Sequence, residues 1–287
     1  MEKEVNTLSF EIMLVVLVGS ALHAIWNTLV KSGSDILLDM VLVTTGIAGV
    51  TAVVVFFLPL PRSDSWGCLA ISVLIHQAYF GSLMLAYRGA DLSLVYPIMR
   101  GTAPVLITLI AAVMLDEQPS WGGCAGILLV SIGVLVLAAN ASPSKGARLA
   151  PVAFALLNAG VIAAGTLVDG YGARLSGNAF SYTGWVLLLT AILIFVGATA
   201  WRCGLVIRHI RGGWKKGIIG GGCTYASYAL ALWAMTHAPI ALVAALRESS
   251  IVFTGVAALF VLREKFSAWR YVSISMITAG AVAIKVF

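Results

Sequence analysis

Arg247 and Glu248 stand side by side in AALRESSIVF, near the middle of an apolar run long enough to cross a membrane. Arg100 occupies a similar depth in YPIMRGTAP. A guanidinium there has two chemical uses. It can grip a carboxylate or phosphate through parallel N–H bonds, or it can be tied into an internal ion pair with a neighbour such as Glu248. Either use must offset insertion, because a charge at the bilayer centre costs about 2.5–3.5 kcal/mol on insertion scales. Intramembrane ions therefore face a bundle interior, a partner or a water-filled pathway. The two arginines lie 147 positions apart, and the same offset carries Leu115-Asp116-Glu117 onto Leu262-Arg263-Glu264 and Gly133 onto Gly280.

Other polar and aromatic residues fall at comparable depth. His23, Asn27 and Lys31 are spaced i, i+4 and i+8 with Trp26 beside them, so one helix face is polar along its second half. His76 and Tyr79 share a face, Tyr96 and Arg100 are one turn apart between Pro97 and Pro104, Asn158 sits in NAGVIAAG, and Tyr225 and Tyr228 share a face. Trp26, Asn27, His76, Tyr79, Tyr96, Arg100, Asn158, Tyr225, Tyr228 and Arg247 are the candidate substrate contacts. Glu248 is the partner of one arginine or a proton-coupling carboxylate, and His23 is a second coupling candidate because histidine titrates near neutral pH. The prolines of the Arg100 segment remove backbone bonds and bend a helix, and transporters put sites at such bends.

Positioning these groups requires membrane helices. The chain is 60% hydrophobic and 10% charged over 287 residues, with a mean hydropathy of +1.00, against a charged fraction near about a quarter in soluble domains. About 20 apolar residues span the hydrocarbon core, and ten stretches qualify: 10–30, 36–58, 66–87, 92–115, 120–139, 149–169, 179–201, 214–236, 240–262 and 267–286. The expected fold is an all-α membrane protein, with ten transmembrane helices in two five-helix repeats, 1–141 and 142–287. Units with an odd number of spans must enter the membrane in opposite senses, so the repeats are inverted and a site is expected between them near the midplane. The segment with Tyr182, Trp185 and Trp201 reads as lipid-facing, and the glycine-bearing segments 120–139 and 267–286 as scaffold or dimer helices. Glu117 and Glu264, at segment ends, read as caps of the following helices or as hinges.

Charge and composition exclude several functions. The net charge of +6 comes from Lys and Arg in short joins, a topology signal rather than a nucleic-acid surface. Twelve of them fall after segments 1, 3, 5, 7 and 9, which makes that side cytoplasmic and both termini non-cytoplasmic. No join can hold a soluble domain, no phosphate-binding loop occurs, and Cys68, Cys124, Cys203 and Cys223 have no metal-like spacing. Neither a cofactor nor a metal is expected, and no enzyme signature such as H-E-x-x-H is present.

The repeat ends LDEQPSWGGCAGILLVSIGVLVL and LREKFSAWRYVSISMITAGAVAI, with the prolines of YPIMRGTAP, resemble the drug/metabolite transporter superfamily, specifically its EamA-type ten-helix exporters. The resemblance covers the whole chain. It implies a proton-coupled or facilitated carrier of the inner (plasma) membrane, with a pocket lined by helices 1, 3, 4, 6, 8 and 9. It also implies cytoplasmic termini, opposite to the charge count. The expected function is a secondary transporter, an exporter by this resemblance, of a small polar metabolite such as an amino acid or a related anionic or zwitterionic acid. Alternating access would move it, in a monomer or weak homodimer. A carrier of a cationic amine held by an aromatic cage, a passive channel and a lipid scramblase are the rivals.

Overall fold

In lipid each separate span must satisfy its own backbone, which leaves the helix as the form for short apolar runs. The computed structural model describes residues 8–31, 36–87, 92–139, 149–260 and 267–286, and among them there are helices and no strand. The helices are α1 Phe10–Lys31, α2 Ile36–Phe57, α3 Trp66–Tyr87, α4 Leu92–Met114, α5 Trp121–Ala139, α6 Leu149–Ser176, α7 Ala179–Met235, α8 Ile240–Arg247, α9 Ser250–Phe260 and α10 Ala268–Val286. Seven stretches within them are long and apolar enough to cross a membrane: Phe10–Val30, Leu38–Phe57, Leu94–Met114, Trp121–Ala138, Ala150–Ser176, Ala179–Ala200 and Gly204–Met235. Their outward faces are apolar too, with Phe56, Val113 and Trp121 at 83%, 86% and 93% exposed. The chain is an all-α, multi-pass membrane protein.

Helices α1 to α5 and α10 match the expected segments to within one residue at each end, and the differences lie in segments 6 to 9. The join around Cys203–Lys216 is helical, so segments 7 and 8 merge into α7, with 57 residues. A straight helix would separate Phe180 and Tyr225 by about 68 Å at about 1.5 Å per residue, yet the Tyr225 hydroxyl donates to the Phe180 carbonyl at 3.2 Å. The two spans of α7 therefore fold back on one another, with Gly184 against Val55 and Tyr225. Segment 9 differs in the other direction: α8 stops at Arg247 and α9 begins at Ser250. Across the break the amides of Glu248, Ser249, Ile251 and Val252 bond three residues back rather than four. Such tightened turns inside a helix mark hinges and sites. The two-proline segment, by contrast, remains the single helix α4.

Segment 6 also runs past its expected end at residue 169, since α6 continues to Ser176. The lipid-facing reading of segment 7 is overturned for its first half, where Tyr182 and Val186 are fully buried and the Trp185 indole nitrogen is enclosed, while Ile192, Leu193 and Val196 in its second half face outward. Trp201 and Cys203 lie outside the residues whose side chains are described, as does Glu264.

Close approaches by glycine fix the helix pairs. A Cβ at Gly46 would fall on the Gly217 carbonyl, and one at Gly221 on the backbone of Gly46 and Ile47. This lets α2 lie against the second span of α7 with backbones in contact, the small-residue packing that substitutes for a hydrophobic drive in lipid. Helices α5 and α10 pair reciprocally: a Cβ on Gly133 would meet Ile277 at 3.1 Å, and one on Gly280 would meet Val130 at 2.7 Å.

Helices α5 and α10 thus cover one another within the chain. Helix α1 packs on the second α7 span through Gly19 and Ser227, and α6 packs on α3 through Gly165 and Ile75.

The joins after α2, α4, α6 and α7 gather at one end. Arg62 donates its amide to Ser176, and Arg174 pairs with Glu117 at 2.6 Å while donating to the carbonyls of Met235 and Ala238. Glu117 accepts the first amide of α8, from Ile240, at 2.8 Å. It caps α8 rather than the following helix α5, whose first turn is held by Ser120 through the Gly123 amide. At the opposite end Asp39 pairs with His209 and Lys216, at 3.0 and 3.2 Å.

Candidate functional site

Between these ends lies a cavity of about 180 Å³. Helix α1 supplies His23, Trp26 and Val30. Helix α2 supplies Met40, Val43, Thr44 and Ile47, and α3 supplies His76, Tyr79 and Phe80. The α7 spans give Leu187, Thr190, Ala191 and Ile194 from the first, then Thr224, Ser227 and Tyr228 from the second, and α8 gives Arg247. The wall is aliphatic and aromatic, interrupted by hydroxyls, imidazoles and one guanidinium, a composition suited to orienting a small ligand through few polar contacts. Helix α2 and the first α7 span line this wall in place of the expected α4 and α6.

The polar groups of the wall are fixed locally. The Trp26 indole donates to His23 at 3.3 Å, and the two rings meet edge-on. His76 has its Nδ1 at 2.9 Å from the Ser72 carbonyl, a turn earlier on α3, and its ring abuts Tyr228. Arg247 ends α8, where the chain tightens, and its guanidinium lies 5.2 Å from the centroid of the Tyr228 ring. Among the described residues no carboxylate pairs with it. Its backbone carbonyl, near the tightened turn, receives the Ser20 hydroxyl at 3.4 Å.

Arg100 is in the opposite situation. Its Nη2 meets Glu248 Oε1 at 3.0 Å and its Nε donates to Oε2 at 3.0 Å, a two-point grip in a nearly dry setting. Each partner cancels the other's charge, and loss of either would strand a buried ion. The tightened turn after Arg247 puts Glu248 on α4 while Arg247 points into the cavity. Adjacent residues thus serve different neighbours.

The sequence-derived candidates divide accordingly. His23, Trp26, His76, Tyr79, Tyr228 and Arg247 are brought together around the cavity. Arg100 and Glu248 lie behind its wall. Asn27 turns back to donate to the His23 carbonyl, and Asn158, fully buried, donates to the Tyr79 carbonyl and the Ser82 hydroxyl. Tyr96 packs with Val95, Met99 and Ala155, and Tyr225 spends its hydroxyl on Phe180.

Asp169, which the sequence places at the end of segment 6, is not among the sequence-derived candidates. It is fully buried, with Tyr182 donating to Oδ1 at 3.2 Å and Tyr228 donating to Oδ2 at 2.5 Å. Ending segment 6 at residue 169 had put this carboxylate at a membrane boundary. Since α6 runs to Ser176, Asp169 instead lies two turns inside, about 10 Å from the helix end. The run of helix-compatible residues through GYGARLS was the available signal.

No family model matches the chain and no curated protein does. Among solved structures 27 chains match. One, described only as the crystal structure of a protein, superposes over 96% of this chain and 96% of its own with a TM-score of 0.67 at 17% identity. The likeness is one of fold.

Proposed function

We propose that the chain is a secondary transporter of a small organic anion or zwitterion, working by alternating access. Its ten membrane spans form two inverted five-helix repeats. The observation that carries the reading is Arg247: a cation in the wall of an otherwise largely apolar cavity, beside a broken helix, with no carboxylate paired to it among the described residues. A guanidinium so placed is a ready partner for a carboxylate or phosphonate. The cationic-amine alternative loses ground, since Arg247 already lies near the face of Tyr228 that such a ligand would use.

The repeat reading draws support from helix pairing. Exchanging each helix for its counterpart 147 positions away turns the Gly133–Ile277 contact into Gly280–Val130, and both are present. The same exchange relates the packing of α1 on the second α7 span to that of α6 on α3. Membership of the drug/metabolite transporter superfamily, on the motifs quoted above, belongs to this proposal, as do an inner (plasma) membrane location and non-cytoplasmic termini. The cavity then lies toward the cytoplasmic end, near Val30 and Met40, and the Glu117–Arg174 cluster closes the outer one.

Counterflow in proteoliposomes tests the reading. Preloaded unlabelled organic acid should drive transient accumulation of the labelled acid, and Arg247→Gln should remove it while the protein stays monodisperse. Uptake without counterflow would identify a channel, and an Arg247→Gln variant with unchanged counterflow would sink the site. For orientation, a cysteine introduced near Lys215 should resist an impermeant thiol reagent in intact cells; labelling from outside would reverse the topology.

A further inference from the structure

Two carboxylates lie deep in the bundle next to the cavity, and they differ in what holds them. Glu248 has a guanidinium on both oxygens. Protonating it would leave Arg100 buried without a counter-charge, which the interior resists. Asp169 is fully buried between two neutral phenols, and among the described residues no Lys, Arg or His pairs with it. It can take a proton without breaking an ion pair.

Asp169 is also wired to the cavity. Tyr228, which donates to Oδ2, carries Arg247 over its ring and lines the cavity wall. The other groups facing Asp169 are Tyr182 from the first α7 span and Cys68 from α3, the latter beside the Tyr182 hydroxyl across Gly172. His76 of α3 reaches the Tyr228 ring from the cavity side. On α6 itself Arg174 is engaged with Glu117 and the carbonyls of Met235 and Ala238. Arg247 is therefore the cation whose charge bears on Asp169 through the cavity wall.

Resting on the anion reading above, we propose that Asp169 binds the proton that travels with the anion, making transport electroneutral. Empty, the site holds the Arg247 cation and the Asp169 anion. Loaded, the bound anion neutralises Arg247, and a proton from hydronium neutralises Asp169, leaving water behind. Both states sum to zero. Anion alone leaves one net negative charge, and proton alone leaves one net positive charge, each in a low-dielectric setting where an uncompensated ion is costly. The half-loaded states are the ones the bundle disfavours, so the two ligands cross together. Tyr182 donates to Oδ1 and Tyr228 to Oδ2, so a proton on either oxygen requires one phenol to turn its hydroxyl from donor to acceptor.

The probe is p-toluenesulfonate, a permanent anion with an apolar body that cannot carry the proton itself. In proteoliposomes an acid exterior should drive its accumulation in the wild type without a membrane potential. Asp169→Asn should lose that drive, and Asp169→Glu, which keeps an ionisable group, should retain part of it. Infrared difference spectra on acidification should show a protonated-carboxyl band that needs stronger acid without anion than with toluenesulfonate present, and that disappears in Asp169→Asn and shifts in Tyr228→Phe. A band unchanged in Asp169→Asn, or acid-driven accumulation that survives it, overturns the proposal. Absence of toluenesulfonate uptake and binding in the wild type overturns the anion reading instead, and the infrared band then decides the proton site by itself.

Discussion

Arg100 and Arg247 stand 147 residues apart, at matched positions of the proposed repeats, yet they have been put to different uses. Arg100 sits in the unbroken helix α4 and is closed off by Glu248 through two bonds of 3.0 Å. Arg247 ends the short helix α8, rests on Tyr228 and faces a cavity. The cause is one residue. Glu248 follows Arg247, whereas Gly101 follows Arg100, so a single carboxylate serves two arginines and can neutralise only one. Local tightening of the chain at Glu248 gives that carboxylate to the arginine of the other half. Gly101 is also sterically committed, since a Cβ there would meet Leu135 at 2.8 Å, so the first half has no room for a matching acid.

The contrast can be broken most forcefully at Arg100. Arg100→Gln strands Glu248 and should cost about 3–5 kcal/mol of stability, read as a large fall in thermal-unfolding midpoint in detergent. Adding Glu248→Gln to it should recover most of the loss, because both charges are then gone. Equal damage from Arg247→Gln would erase the distinction between the two sites. That variant should change stability by under about 1 kcal/mol while lowering anion affinity about 10- to 100-fold, the worth of a charged hydrogen-bond pair, measured by isothermal titration with toluenesulfonate. Arg247→Lys keeps charge but loses the planar fork, and should fall between the two in affinity. The smallest effect is expected at the rim, where Glu117→Gln weakens the bond to Arg174 and a charged cap of α8. About 1 kcal/mol is expected there, with Arg174 itself 30% exposed.

The membrane class was legible because it follows from local chemistry. Twenty apolar residues in a row have few options in water or lipid. Helix ends were less legible. The Cys203–Lys216 stretch is rich in Lys, Arg and Gly and looks like a loop, yet it is helical within α7. Segment 9 has no proline or glycine at its centre, yet it breaks at Glu248–Ser249, while α4 carries two prolines and does not. In each case the local signal did not decide where the helix ends. Tyr182 shows the same limit: nothing beside it in sequence marks it as the partner of Asp169 rather than a lipid-facing ring.

By itself the sequence determined that this chain spans a membrane as helices and that charged groups must be gathered away from lipid. These follow from the transfer cost of each residue, which is set by its own chemistry. Which arginine is neutralised and which is left for a ligand was decided only by the tertiary structure. So was the position of Asp169 inside the bundle, between two tyrosines. An ion's role depends on the nearest opposite charge, and that neighbour, 148 residues from Arg100 along the chain, is supplied by folding.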